Sequence, residues 1–134
     1  MRYILLVDDD ADDRDALKEA LQEAGSPHSF LEAQDGSHAL ELLQDLKVKN
    51  HLPCLIVLDI NMPRMDGRQA LVSIQADRAL SSIPVVIFST SSNDADRLWF
   101  AGKNVPFFTK PAQYSALLQV ASRLLDYCPW NGLN

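Results

Sequence analysis

Cysteine is nearly absent from this chain: Cys54 and Cys128 are the only two. They form no C-x-x-C pair and no metal-binding spacing with His28, His38 or His51, so the sequence offers neither a dithiol motif nor a zinc site. Both are read as reduced thiols of a cytoplasmic protein. Positive charge is also scarce, with 12 Lys and Arg against 18 Asp and Glu and a net charge of −6. That balance argues against nucleic acid or an anionic membrane as the main partner. No apolar run approaches the roughly 18 residues of a membrane span. The amino terminus, MRYILLVDDD, turns acidic too soon for a signal peptide. There is no internal repeat, no low-complexity segment and no domain boundary.

What remains is one domain's worth of chain. Its 134 residues, 47 % apolar and 22 % charged, suffice to close a core. The central stretch is Cys54 to Gly67, CLIVLDINMPRMDG. Leu55 to Leu58 form an unbroken apolar, β-branched run, which fits a strand buried on both faces. It ends on Asp59, at the strand's carboxyl end, where open α/β sheets place their ligands. Asn61, Pro63, Asp66 and Gly67 then turn the chain into a helix. A lone Asp here is more often a turn former than a functional group. A second acidic cluster changes that balance: six Asp fall between Asp8 and Asp15.

That cluster follows another apolar run, Tyr3 to Val7. Leu17, Ala20, Leu21 and Ala24 recur at helical spacing until Gly25 and Pro27 end the helix. Asp12 and Asp13 can cap its start, which accounts for Asp10 to Asp15 but not for Asp8 and Asp9 at the strand end. His28 to Ala33 is a weaker strand. Ala39, Leu42, Leu43 and Leu46 give a second helix, and Ala70, Leu71 and Ile74 a third. Pro84 opens the strand VVIF, which runs into Ser89 and Thr90. Asn93 to Gly102 is the least regular helix, with Leu98, Trp99 and Phe100 crowded together. Val105 to Thr109 is a short strand before Lys110-Pro111. Tyr114, Leu117, Leu118, Ala121 and Leu125 form an amphipathic last helix. Residues 1–126 thus read as one domain, and 127–134 as a short tail with no effector domain.

Five strands alternating with five helices predict an α/β, doubly wound parallel sheet with right-handed crossovers. The order 2-1-3-4-5 is the one found in flavodoxin and the chemotaxis regulator CheY. All strand carboxyl ends then share one edge. Asp8, Asp9, Asp59, Ser89 and Lys110 converge there. Three carboxylates in one cleft repel one another unless a cation intervenes, and Mg²⁺ suits an all-oxygen site. A nucleophilic carboxylate beside a metal, a lysine and a hydroxyl is equipped to accept a phosphoryl group.

The set Asp8-Asp9, Asp59 within LDINMPRMDG, Ser89 within PVVIFST and Lys110-Pro111 resembles the CheY-like receiver domain of two-component response regulators, over essentially the whole chain. The resemblance implies that Asp59 takes a phosphoryl group from a histidine kinase's phosphohistidine. It implies Asp9 as the direct Mg²⁺ ligand and Asp8 as one acting mainly through water. Asp59 and the backbone carbonyl of Asn61 complete the set, with Mn²⁺ able to substitute. Ser89 matches the switch hydroxyl, Lys110 the lysine that pairs with phosphoryl oxygens, and Phe107 the aromatic that turns inward. The chain would be a phosphoacceptor switch rather than an enzyme, with self-phosphorylation and slow autodephosphorylation its only chemistry. Its output would be a partner or homodimer face of helix four, strand five and helix five. A narrower likeness, carried by the acidic strand end, the Phe-Ser-Thr-Ser run and the aromatic tail, is to stand-alone regulators paired with phytochrome-type kinases.

Two readings compete. The D-x-D spacing of Asp8 and Asp10 suggests a HAD-type phosphohydrolase, but the chain has no room for a lid, and that nucleophile belongs on strand one. A flavodoxin-like carrier needs a phosphate loop after strand one, where aspartates would repel a phosphate. Two features depart from the receiver pattern. Gly102 lies one residue further from Lys110 than usual, and Pro106 precedes the fifth strand's aromatic, so the loop between them is expected to be rebuilt. Trp99 and Phe100 are expected in the core, and all three histidines on the surface.

Overall fold

The computed structural model describes residues 2–91 and 93–128; the expected tail beyond Cys128 lies outside the described residues. The elements are β1 (Tyr3–Val7), α1 (Ala11–Glu23), β2 (Ser29–Ala33), α2 (Gly36–Val48), β3 (Leu55–Leu58), α3 (Gly67–Ala76), β4 (Val85–Ser89), α4 (Asp94–Gly102), β5 (Phe107–Thr109) and α5 (Tyr114–Leu125). The strands form one parallel sheet in the order β2-β1-β3-β4-β5, as expected.

Strand alternation sorts the side chains into two cores. Leu5, Val7, Ile56, Leu58, Val85 and Ile87 face α2, α3 and α4, meeting Leu43, Leu71, Ile74 and Phe100. Ile4, Leu6, Leu55, Val57, Val86 and Phe88 face α1 and α5, meeting Leu17, Leu21, Leu117 and Leu124. The runs Ile4 to Val7, Leu55 to Leu58 and Val85 to Phe88 are apolar at every position because both faces of these strands are covered. Each large apolar side chain buried this way contributes about 1.5–3 kcal/mol. Phe100 is fully buried and Trp99 half-buried, as expected, whereas Leu98 points outward at 73 % exposure.

The helix ends follow local chemistry. Asp10, not Asp12 or Asp13, caps α1: its side chain accepts from the backbone N–H groups of Asp12 and Asp13. The residue just before the first turn has the extended backbone that turns a carboxylate toward those donors; residues already inside the helix do not. Asp35 caps α2, and Asp66 with Gln69 forms a capping box on α3. α4 ends in a Schellman motif, with Val105 N–H donating to Phe100 O and Asn104 N–H to Ala101 O. The left-handed residue there is Asn104 (φ 61°), not Gly102. The loop thus uses an asparagine where the left-handed backbone is needed, and Gly102 stays in the helix. Pro106 sits beside edge strand β5 and still serves the sheet, its carbonyl accepting from Ile87 N–H at 2.8 Å.

Two sequence expectations fail at the opposite edge of the sheet. Cys54 and Cys128 are not free thiols but a disulfide, with Cα atoms 5.4 Å apart. Spacing could not show it, because only the fold brings the start of β3 under the end of α5. His28 is not a surface residue: it is buried, and its Nε2 lies 2.9 Å from the Cys128 carbonyl and 3.4 Å from the Cys128 sulfur. His38 and His51 are exposed, as expected.

Candidate functional site

Parallel packing delivers the site to the carboxyl edge. Asp8 and Asp59 are the first residues past the neighbouring strands β1 and β3, anchored by Asp8 N–H to Ala33 O at 3.0 Å and Asp59 N–H to Val7 O at 2.9 Å. Both side chains are buried while Asp9 is exposed. Ser89, the last residue of β4, is fully buried. Lys110 follows β5, its N–H donating to Ser89 O at 2.8 Å. The ends of β1, β3 and β5 therefore bring charged side chains into one cleft, with the end of β4 hydrogen-bonded to Lys110 through its backbone.

The turn after Asp59 depends on a close approach. A Cβ at Gly67 would stand 2.3 Å from the Asp59 carbonyl oxygen, so only glycine lets α3 start against the end of β3. The Gly67 N–H meanwhile donates to Ile60 O at 2.8 Å. Asp35 braces the same loop from α2. It accepts from His38 N–H at 2.9 Å and from Arg64 Nε and Nη2 at 2.9 and 2.6 Å.

Carboxylate oxygens of Asp8, Asp9 and Asp59 lie within 4.8 Å of one another. Asp59 Oδ1 accepts from Ile60 N–H at 2.8 Å, and Asp8 Oδ1 from Asp10 N–H at 2.9 Å. Their other oxygens face the Lys110 ammonium, at 2.6 Å from Asp8 and 3.4 Å from Asp59. Burial raises the Asp8 pKa above its ordinary value in spite of the Lys110 hydrogen bond, and the Asp59 charge adds to the rise. For Lys110, burial disfavours the charge, but hydrogen bonds to Asp8 and Asp13 outweigh it and hold the pKa above the usual lysine range. The two directions differ because one cation serves several anions: Lys110 is overcompensated, Asp8 undercompensated. An all-oxygen, partly open cluster in need of positive charge fits a hard divalent cation.

The structure brings together Asp8, Asp9, Asp59 and Lys110. Asn61 is exposed in the loop after Asp59. Ser89 Oγ accepts from Ser91 N–H at 3.4 Å. Phe107 is half-buried, 6.1 Å from the Phe100 ring centroid, with the Arg97 guanidinium 4.7 Å above its ring. Arg97 also donates to Thr109 Oγ1 at 2.6 Å. Sequence reasoning missed Arg97, Asp35 and Arg64, whose partners come from other elements. It also missed Arg14, which donates to the Asp8 carbonyl at 2.6 Å and to Glu32 at 2.9 Å. The Asp35-Gly36 turn before α2 was the one visible signal for the Asp35 cap.

Comparison with known proteins agrees with this geometry. Residues 4–122 match the family model of the response regulator receiver domain. Response regulator Rcp1 of Synechocystis sp. is 36 % identical over 97 residues, covering 71 % of this chain and 66 % of that protein. The crystal structure of the phosphorylated cyanobacterial phytochrome response regulator RcpA superimposes with a TM-score of 0.84 at 34 % identity, over 94 % of this chain and 92 % of that one. The Mn²⁺-bound form of response regulator Rcp1 gives 0.83 at 30 % identity, over 96 % and 94 %. The chain belongs to the response regulator receiver domain family, the CheY-like phosphoacceptor switches of two-component signalling.

Proposed function

We propose that Asp59 is the phosphoacceptor, taking its phosphoryl group from the phosphohistidine of a histidine kinase. The observation that carries this is a buried carboxylate at the end of β3 sharing one lysine and one acidic cleft with Asp8. An Asp59 carboxylate oxygen attacks phosphorus, the P–N bond to the donor imidazole breaks, and its electron pair stays on that nitrogen. Lys110 pairs with the phosphoryl oxygens as the charge arrives. Asp8, Asp9, Asp59 and the Asn61 carbonyl would hold Mg²⁺ or Mn²⁺, which when bound neutralises charge on those oxygens. The solved relative described as Mn²⁺-bound supports a divalent cation in this cleft.

The phosphoryl group adds about −1.5 to −2 charge at the sheet edge. Ser89 donates its hydroxyl to a phosphoryl oxygen, and Phe107 turns into the space vacated. The face of α4, β5 and α5 changes with it and meets a downstream partner or a second copy. The domain spans 1–126, and its chemistry is self-phosphorylation and slow loss of the phosphoryl group. Among the described residues no helix is long and apolar enough to cross a membrane. A kinase phosphohistidine as donor implies that the chain works in the cytoplasm. The similarity to phytochrome response regulators favours a phytochrome-type kinase. Incubation with acetyl phosphate and Mg²⁺ tests the reading. Wild type gains acid-labile phosphate, and Asp59→Asn, which keeps size and loses the nucleophile, gains none. Equal incorporation by both would refute the assignment.

A further inference from the structure

Lys110 offers three N–H donors, and three carboxylates surround it. Two of them, Asp8 and Asp59, belong to the trio that could hold a cation; the third, Asp13, lines the same cleft from α1. Asp13 Oδ2 lies 2.9 Å from Nζ, closer than Asp59 Oδ2 at 3.4 Å. Asp13 belongs to the first turn of α1, where its own N–H is held by Asp10 Oδ1 at 3.2 Å. Its carboxylate is outside the trio of Asp8, Asp9 and Asp59 that could hold a cation. Its side chain is 41 % exposed, while that of Lys110 is 9 % exposed. Asp13 thus reaches in from the rim to hold a buried ammonium.

We infer that Asp13 is a positioning residue that competes with Asp59 for Lys110 in the resting state, holding the ammonium at 2.9 Å against 3.4 Å, so that an arriving phosphoryl group must draw the lysine off it. The competition sharpens when a cation occupies the cleft. Asp8, the shortest partner of Lys110, then spends its charge on the metal, which leaves Asp13 as the principal rival to the acceptor. Removing the Asp13 charge frees Lys110 for the phosphoryl oxygens in the transition state. Because the pair is partly exposed, the gain corresponds to about a two- to five-fold faster reaction.

The inference rests on Asp59 as acceptor, and the experiment separates the two. Phosphorylation rates with acetyl phosphate at saturating Mg²⁺ are measured for wild type, Asp13→Asn, Asp12→Asn, Lys110→Ala and the Lys110→Ala/Asp13→Asn double variant. Asp12 is an exposed neighbour on the same turn, so Asp12→Asn removes equal charge without touching Lys110. Asp13→Asn is expected to react two- to five-fold faster with an unchanged melting temperature, and Asp12→Asn close to wild type. In the Lys110→Ala background the Asp13 substitution should have no effect, since the cycle isolates the pair. An equal gain in Asp13→Asn and Asp12→Asn overturns the inference, because charge alone would then explain it. So does an Asp13 effect that persists without Lys110, or an Asp13→Asn rate equal to wild type while Asp59 is labelled normally. Absence of acid-labile phosphate in wild type overturns the acceptor reading and this inference with it.

Discussion

Asp8, Asp9 and Asp10 are consecutive and chemically identical, yet the fold gives them three roles. Asp8 is buried and shared between Lys110 and the Asp10 N–H; Asp9 is exposed beside the cleft; Asp10 turns away to cap α1. A divalent cation that binds the folded cleft raises the melting temperature by mass action. Asp9→Ala should lose most of the Mg²⁺-dependent rise. Asp10→Ala should keep it while losing about 1 kcal/mol of stability with the helix cap. Thermal melts with and without Mg²⁺ check both, and an Asp10→Ala variant deaf to Mg²⁺ would show the metal to be misplaced. The meeting of Asp8, Asp9, Asp59 and Lys110 was legible in the sequence, because a parallel sheet sends every strand end to one edge. It misassigned the cap within the Asp10 to Asp13 run, since any of these carboxylates can accept N–H groups and only backbone direction chooses among them. His28 was misread because nothing near it in sequence hints that Cys128 will cover it.

Between elements, two contacts decide how the cleft is braced and how it could report. Asp35 joins the start of α2 to the loop after β3 through His38 N–H and Arg64. The His38 hydrogen bond and then the Arg64 guanidinium hold the Asp35 pKa below its ordinary value of 3.8. A lowered folded-state pKa stabilises the protein above the unfolded value, and that contribution disappears as pH falls through the folded one. The stability gap between wild type and Asp35→Asn, measured by urea unfolding, should therefore be constant above about pH 5 and shrink below 3.8. A gap that widens on acidification would contradict the pairing. At the proposed reporting end, Phe107 contacts the Phe100 ring and carries the Arg97 guanidinium over its own, so the inward turn proposed for it would break a cation–π contact. Ser89→Ala removes the hydroxyl proposed to distinguish the two states and leaves the proposed acceptor Asp59 untouched. The variant should take up phosphate normally yet lose the phosphorylation-dependent change in size-exclusion profile or partner binding. A full response in Ser89→Ala would move the coupling elsewhere.

Across the whole molecule, the two edges of the sheet do different jobs. The carboxyl edge gathers the carboxylates of Asp8, Asp9 and Asp59, with Lys110 paired to two of them. The opposite edge is closed by the Cys54–Cys128 disulfide, which ties the chain after α5 to the start of β3 across 74 residues. A disulfide typically contributes roughly 2–4 kcal/mol, and closing so long a loop places this one toward the upper end of that range. Reductant should lower the melting temperature of wild type and leave Cys54→Ser/Cys128→Ser unchanged; identical melts for wild type in both conditions would mean that the crosslink contributes nothing. Fold class and strand order were legible because apolar runs, helical periodicity and turn residues all agree. The crosslink was not, because a contact between distant segments leaves no local pattern.

The proposed switch depends on one chemical event, the transfer of a phosphoryl group to the carboxylate at the end of β3. Borohydride reduces an aspartyl phosphate to homoserine and leaves free carboxylates untouched, so it marks the acceptor directly. Wild type treated with acetyl phosphate and Mg²⁺, reduced with borohydride and mapped by peptide mass spectrometry should show homoserine in place of Asp59 alone. Homoserine at Asp8 or Asp9, or at no position in a chain that has gained acid-labile phosphate, would contradict the account.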